Sequence, residues 1–223
     1  MKAFFKKLIW LFIFAPVIYL AIIWNKLPET VAVHFNLQGE PDRYGNKSEL
    51  WISSLLLTGM SIGMYFLFAN LHRIDPKRYA KDIKDRTFSI GITIIIFLSL
   101  IQFLILYSAY KGSIKFESGL IFSCIGLLFA ILGNYMYNIK PNYFVGMRLP
   151  WTLENEENWK KTHQLAGRLW FGVGIFLAVV CLLLPKTVSF IVFISSTLLI
   201  SLIPAIYSYR LFVKQKRNNR LCK

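Results

Sequence analysis

Six stretches of 17 or more residues lack Asp, Glu, Lys and Arg, and they leave this chain little choice of fold. They are Leu8–Asn25, Leu50–His72, Thr87–Tyr110, Ser118–Ile139, Leu169–Pro185 and Thr187–Arg210, the last ending on its first charge. A helical residue rises about 1.5 Å, so a hydrocarbon layer of about 30 Å takes roughly 20 of them. Inside lipid no backbone N–H or C=O can stay unpaired, which leaves helices and closed barrels. Unbroken apolarity over these lengths selects helices. The runs use about 125 of the 223 residues, which leaves no room for a separate soluble domain. The expected fold is an all-α integral membrane protein with six transmembrane helices, a small extracytoplasmic cap and an amphipathic inner helix.

The first run follows Lys2, Lys6 and Lys7, as a signal peptide would. Its length, its exit through Trp24-Asn25-Lys26-Leu27-Pro28 and the lack of a small-residue cleavage site favour a retained signal-anchor. Of three cysteines, Cys124 and Cys181 fall in predicted helices and Cys222 in the tail, so no disulfide is expected.

The formal net charge is +15, and its distribution follows the membrane. With the N-terminus inside, 20 Lys and Arg lie on inner segments and six on outer ones, namely Lys26, Arg43, Lys47, Lys111, Lys115 and Lys186. Such an excess in short loops sets both termini in the cytoplasm. The charge is therefore no sign of direct nucleic-acid binding. Basic inner segments such as Lys214-Gln215-Lys216-Arg217 suit the anionic surface of the lipid bilayer, and a docking site for a cytoplasmic partner is the alternative.

Two loops are more than connectors. In the first outer segment, residues 25–50, Thr30–Phe35 is β-branched and aromatic and predicts a strand. Gln38–Asp42 and Tyr44–Asn46 carry turn signals. A structured cap of this kind is a candidate recognition surface. In the inner segment, residues 139–168, Pro141, Gly146 and Pro150 break any helix in the first half. From Asn155 onward, Trp159, His163, Ala166 and Trp170 share one face, while Lys160, Lys161, Gln164 and Arg168 share the other. This predicts an interfacial helix anchored by Trp159 that leads into the fifth span. Composition leaves the preceding turn, with Tyr143, Phe144, Arg148 and Trp151, equally open to an interface belt or a functional turn.

Within the spans, Gln102 and Asn134 are the amides that stand out. Gly59 and Gly63 form a GxxxG, and Gly119, Gly126 and Gly133 recur at seven-residue steps. Helix packing is the expected use of all of these. No ionisable group sits away from a span end, which argues against a coupled transporter or pump. His34 is outside whereas His72 and His163 are inside, so the three cannot share a metal. His34 with Glu40 or Asp42 is the one candidate for a metal or acid–base site, and a structural histidine is the expected reading. No HExxH, phosphate loop or nucleophile elbow is present. No catalytic residue, metal or cofactor is expected.

Gly133-Asn134-Tyr135, followed by Lys140 to Leu153 (KPNYFVGMRLPWTL) and by Trp159, Thr162, His163 and Gly167, resembles the signature of the SdpI-like bacterial immunity family. The outer residues Leu27-Pro28-Glu29, Val33-His34-Phe35-Asn36, Gly39-Glu40-Pro41-Asp42 and Lys47 are similar to the small N-terminal domain often joined to it. The chain departs from the pattern at Leu149, where a small polar residue is expected. The resemblance divides the chain into residues 1–72, two spans with a loop domain, and residues 87–223, four spans with the inner motif and a basic tail. It implies a membrane immunity protein that resists a secreted peptide toxin and also acts as a receptor holding a cytoplasmic transcriptional repressor. The toxin would meet the outer face and the repressor the inner one. It marks Asn134, Asn142, Gly146, Arg148, Pro150, Trp151, Thr152, Trp159 and His163 on the inner side. On the outer side His34, Asn36, Glu40 and Asp42 are the candidates. The competing readings are a membrane enzyme with a site in the outer loop and a passive transporter.

Overall fold

The computed structural model describes residues 2–35, 41–76, 84–111 and 118–221. Seven helices are defined among them: α1 (Lys2–Ile23), α2 (Glu49–Ile74), α3 (Lys84–Lys111), α4 (Ser118–Met136), α5 (Pro150–Glu154), α6 (Glu156–Leu183) and α7 (Lys186–Leu221). All but α5 are long and apolar enough to cross a membrane, and they cover the six charge-free runs. This is a multi-pass membrane protein. Successive spans alternate in direction, so the loop between α1 and α2 lies at one end and the segment between α4 and α6 at the other. We call these the hairpin end and the motif end.

The hairpin consists of β1 (Thr30–Phe35) and β2 (Pro41–Asn46), paired antiparallel from Thr30↔Asn46 to Phe35↔Pro41. β1 is the strand expected from sequence. β2 contains the second turn signal, Tyr44–Asn46, and is a strand instead. Its Pro, Asp, Gly and Asn are poor strand formers, and they are tolerated because a two-stranded ribbon consists only of edges. The hairpin is seated on the bundle by apolar burial. Leu27 and Val31 join Leu20, Ile23, Leu50, Leu106 and Ala109 in one buried cluster. Lys47 donates to Glu29 at 2.8 Å and lies over the Trp24 ring at 5.0 Å.

By packing, the helices form two groups. In the first, α3 sits against α1 and α2. Ser99 donates to the Phe12 carbonyl at 2.7 Å, and Gln102 to the Ser54 carbonyl at 3.3 Å. Gln102 is buried, as an amide crossing between helices should be. In the second group α6 packs against α4 and α7. The α4–α6 contact is a seam of small residues at seven-residue steps on both helices. A Cβ on Gly133 would press on the Gly167 carbonyl and the Phe171 nitrogen, one on Gly126 on the Gly174 carbonyl, and one on Gly119 on the Cys181 carbonyl. The α4 glycines therefore pack as expected, against the partner row Gly167, Gly174 and Cys181. The GxxxG of α2 does not: among the described residues, a Cβ on Gly59 or Gly63 would meet nothing within 4 Å. Cys124 and Cys181 are free thiols, and Cys222 lies outside the described residues.

The two groups meet at the motif end. There Phe68 and Leu71 of α2, Ile90 of α3, Ile139 and Trp159 form one buried cluster.

Candidate functional site

The motif segment leaves α4 and folds into a tight turn before the short helix α5. Asn142 builds the turn. Its Oδ1 accepts from the backbone N–H of Phe144 (2.9 Å) and Val145 (2.7 Å), and its Nδ2 donates to the Lys140 and Val145 carbonyls, both at 3.0 Å. The side chain is fully buried, so these bonds replace the water the backbone gave up. Gly146 follows with φ of +109°, a conformation that L side chains rarely adopt. A Cβ there would also overlap Nε2 of His163.

His163 closes the turn from α6. Its Nε2 accepts the Met147 N–H at 2.9 Å, which obliges Nδ1 to carry the proton it shares with the Trp159 carbonyl at 2.8 Å. The imidazole is therefore neutral, with its tautomer fixed by two backbone partners. It stacks on Trp159 with ring centroids 4.0 Å apart, and the Trp159 indole donates to the Ile139 carbonyl at 2.8 Å. Trp159 is thus buried in protein, where the sequence pattern had it anchoring a helix at the lipid interface. α6 runs unbroken from Glu156 into the span, and the apolar face of its first turns covers the motif.

Pro150 starts α5 at a position that needs no N–H. It is exposed and begins a helical turn that the run of helix breakers did not predict. Thr152 is fully buried, accepts the Leu149 N–H at 3.0 Å and donates to the Met147 carbonyl at 2.8 Å. The bonds at Leu149 use only its backbone, so an apolar side chain is tolerated there. Trp151 stacks on Phe212 of α7, meets Tyr209 edge-on and donates to Ser208 at 2.7 Å. Ser208 in turn donates to Asn158 Oδ1 at 3.0 Å. That oxygen also accepts from Thr162 at 3.0 Å, while Asn158 Nδ2 donates to the Ser208 carbonyl at 3.0 Å. Asn158, Thr162 and Ser208 are fully buried and tie α5, α6 and α7 together. A further tie crosses to the first helix group, where Tyr143 N–H donates to the buried Asp75 carboxylate at the end of α2 (3.1 Å).

The inner candidates therefore divide. Asn142, Gly146, Thr152, Trp159 and His163 point inward and hold the turn. Arg148 is exposed and donates to the Tyr143 carbonyl, and Tyr143 and Phe144 beside it expose about two-fifths of their surface (41% and 36%). Asn134 stands apart, exposed on α4 beside a small cavity on the α4–α6 seam. Asp75, Asn158 and Ser208 were missed by sequence reading. Ser208 carried a weak signal, as a polar residue whose neighbours one turn away (Pro204, Ala205, Leu211 and Phe212) are apolar.

At the hairpin end His34 Nδ1 meets Asp42 Oδ1 at 2.5 Å. Both groups are exposed, and an exposed pair contributes little stability. Asn36 and Glu40 lie outside the described residues. Among the described residues no three His, Cys, Asp or Glu stand together as a metal site.

The SdpI/YfhL protein family matches residues 138–208, from the turn after α4 through α5 and α6 to Ser208. A domain of unknown function (DUF1648) matches residues 11–58, which hold most of α1, the hairpin and the start of α2. Immunity protein SdpI of Bacillus subtilis (strain 168) is 24% identical over 196 residues, covering 86% of this chain and 88% of its own. These matches support a likeness to the SdpI-like family. The SdpI/YfhL match begins after Asn134 and ends on the serine that Trp151 and Asn158 share. Its bounds thus enclose the motif turn and the network that fixes it to α7. No solved structure matches the chain.

Proposed function

We propose that this chain is a bacterial membrane immunity protein that protects its cell from a secreted peptide toxin, by binding rather than by catalysis. The observation that carries the reading is the similarity to Immunity protein SdpI along 86% of the chain, through both the hairpin and the motif end. Both termini lie in the cytoplasm on this reading, which the 20-to-6 division of Lys and Arg supports. The hairpin then faces outward as the recognition surface, offering His34, Asp42 and the exposed Tyr44 to the toxin. Asn36 and Glu40 belong to the same proposed surface.

The motif end faces the cytoplasm on this reading. Residues 87–223 form its unit, and residues 1–72 the hairpin's. Arg148, Tyr143 and Phe144 present a cationic and aromatic patch suited to a protein partner, proposed here as a transcriptional repressor held at the membrane. The inward motif residues give that patch a fixed shape.

The test is growth of a sensitive host, with and without the chain, under a panel of secreted peptide toxins. Protection against at least one toxin is expected, lost when residues 30–46 are replaced by a Gly/Ser linker in a protein that still reaches the membrane. Unchanged sensitivity to every toxin would end the immunity reading.

A further inference from the structure

One contact on the α4–α6 seam serves neither the motif turn nor the glycine packing. The Arg168 guanidinium donates to the Tyr137 hydroxyl at 3.1 Å and lies over its ring at 5.4 Å. Both side chains line a cavity of about 190 Å³ with Gly133, Asn134, Gly167 and Phe171. The paired glycines bring the two backbones into close contact beside this cavity, and none of the lining residues is acidic. A neighbouring cavity of about 300 Å³ shares Tyr137 and adds Lys140 and Lys160 against one acid, Glu156. The local charge is therefore positive.

Depth narrows the ligand. Arg168 is the last charge before the apolar run that starts at Leu169, so it stands at the edge of the hydrocarbon. Phe171, one turn further into that run, is half exposed. A cation, an amide and a phenol above an apolar wall match a phospholipid, whose phosphate and acyl chain are joined at this depth. Basic cavities between spanning helices are suited to anionic headgroups. We propose that this cavity binds the headgroup phosphate of an anionic phospholipid, with an acyl chain running past Phe171. Arg168 pairs with the phosphate, and Asn134 and Tyr137 donate to headgroup oxygens. The inference is independent of any toxin. The α7 tail provides a contrast: Arg210, Lys214 and Arg217 line a cavity formed by one helix alone, with Tyr209 and Val213. Such a face attracts an anionic surface without seating a single lipid.

Native mass spectrometry of the full chain in detergent, titrated with phosphatidylglycerol or phosphatidylcholine, tests this. One phosphatidylglycerol is expected to be held in preference to phosphatidylcholine. Arg168→Gln should weaken it by about fivefold or more, from roughly 1 kcal/mol per cation at the membrane surface. Asn134→Leu, at an exposed position that the fold does not use, should weaken it less but measurably. Lys214→Gln with Arg217→Gln should leave the seated lipid in place. Equal binding of both lipids would overturn the proposal, as would wild-type affinity in both Arg168→Gln and Asn134→Leu. Competition by millimolar inorganic phosphate alone would also overturn it, by making this a soluble-anion site. If Arg168→Gln does not fold, Asn134→Leu and Tyr137→Phe decide.

Discussion

Replacing Gly146 by alanine is expected to destabilise the protein by about 3 kcal/mol or more. Two costs combine. The residue sits at φ of +109°, where an L side chain is strained. The new methyl also overlaps the His163 nitrogen that accepts the Met147 N–H. Moving the imidazole would break that bond, pull Nδ1 from the Trp159 carbonyl and unstack the two rings. The effect should appear as a lower midpoint of thermal unfolding in detergent, with altered tryptophan emission as His163 leaves Trp159. The two residues should also be coupled. In a His163→Ala background the overlap is gone and only the backbone strain remains, so Gly146→Ala should cost clearly less there. Additive costs would show that the overlap contributes nothing.

Gly174→Leu is expected to abolish the folded state, and Gly174→Ala to cost about 2 kcal/mol. The nearest atoms to a Cβ at Gly174 are backbone atoms of Ala130 and Gly126, which have no rotamer to change. The helices themselves must part, and the seam loses close contact along its length. Within a bilayer such contact is what holds helices together, because lipid is as apolar as the side chains it replaces. Gly59→Ala and Gly63→Ala on α2 should stay within about 0.5 kcal/mol of wild type, since nothing lies within reach of either new methyl. Size-exclusion profiles and melting midpoints of the four variants would separate the two classes of glycine. A loss of folding in the α2 pair comparable to Gly174→Ala would mean that α2 packs on something through its GxxxG.

That contrast also shows where sequence reading stops. The spans were legible because a charge-free run of helical length is a local property with one physical solution. So was β1, whose β-branched residues are local too. The glycines were legible as small residues but not as contacts. Gly126 and Gly59 look alike in a helix, and only the packing of α4 on α6 distinguishes them. β2 was hidden by residues that usually form turns. The motif residues were found through resemblance, and their roles were not readable from it. His163 acts on a backbone N–H 16 residues away, Trp151 on a serine 57 residues away, and Tyr143 meets Asp75 across the two helix groups. The roles of Asn158 and Ser208 were hidden for the same reason, since neither has a purpose until α6 and α7 lie side by side.

The motif turn is thus largely a scaffold, and in the proposed function recognition is assigned to the surfaces it and the hairpin expose. The proposal that toxin binds at the hairpin is tested most directly by site-specific photo-crosslinking in toxin-treated cells that the chain protects. One photoreactive residue would replace the exposed Tyr44 and another Tyr143. The account predicts a toxin adduct at position 44 and none at 143. Protection with an adduct at 143 alone, or with none at 44, would contradict it.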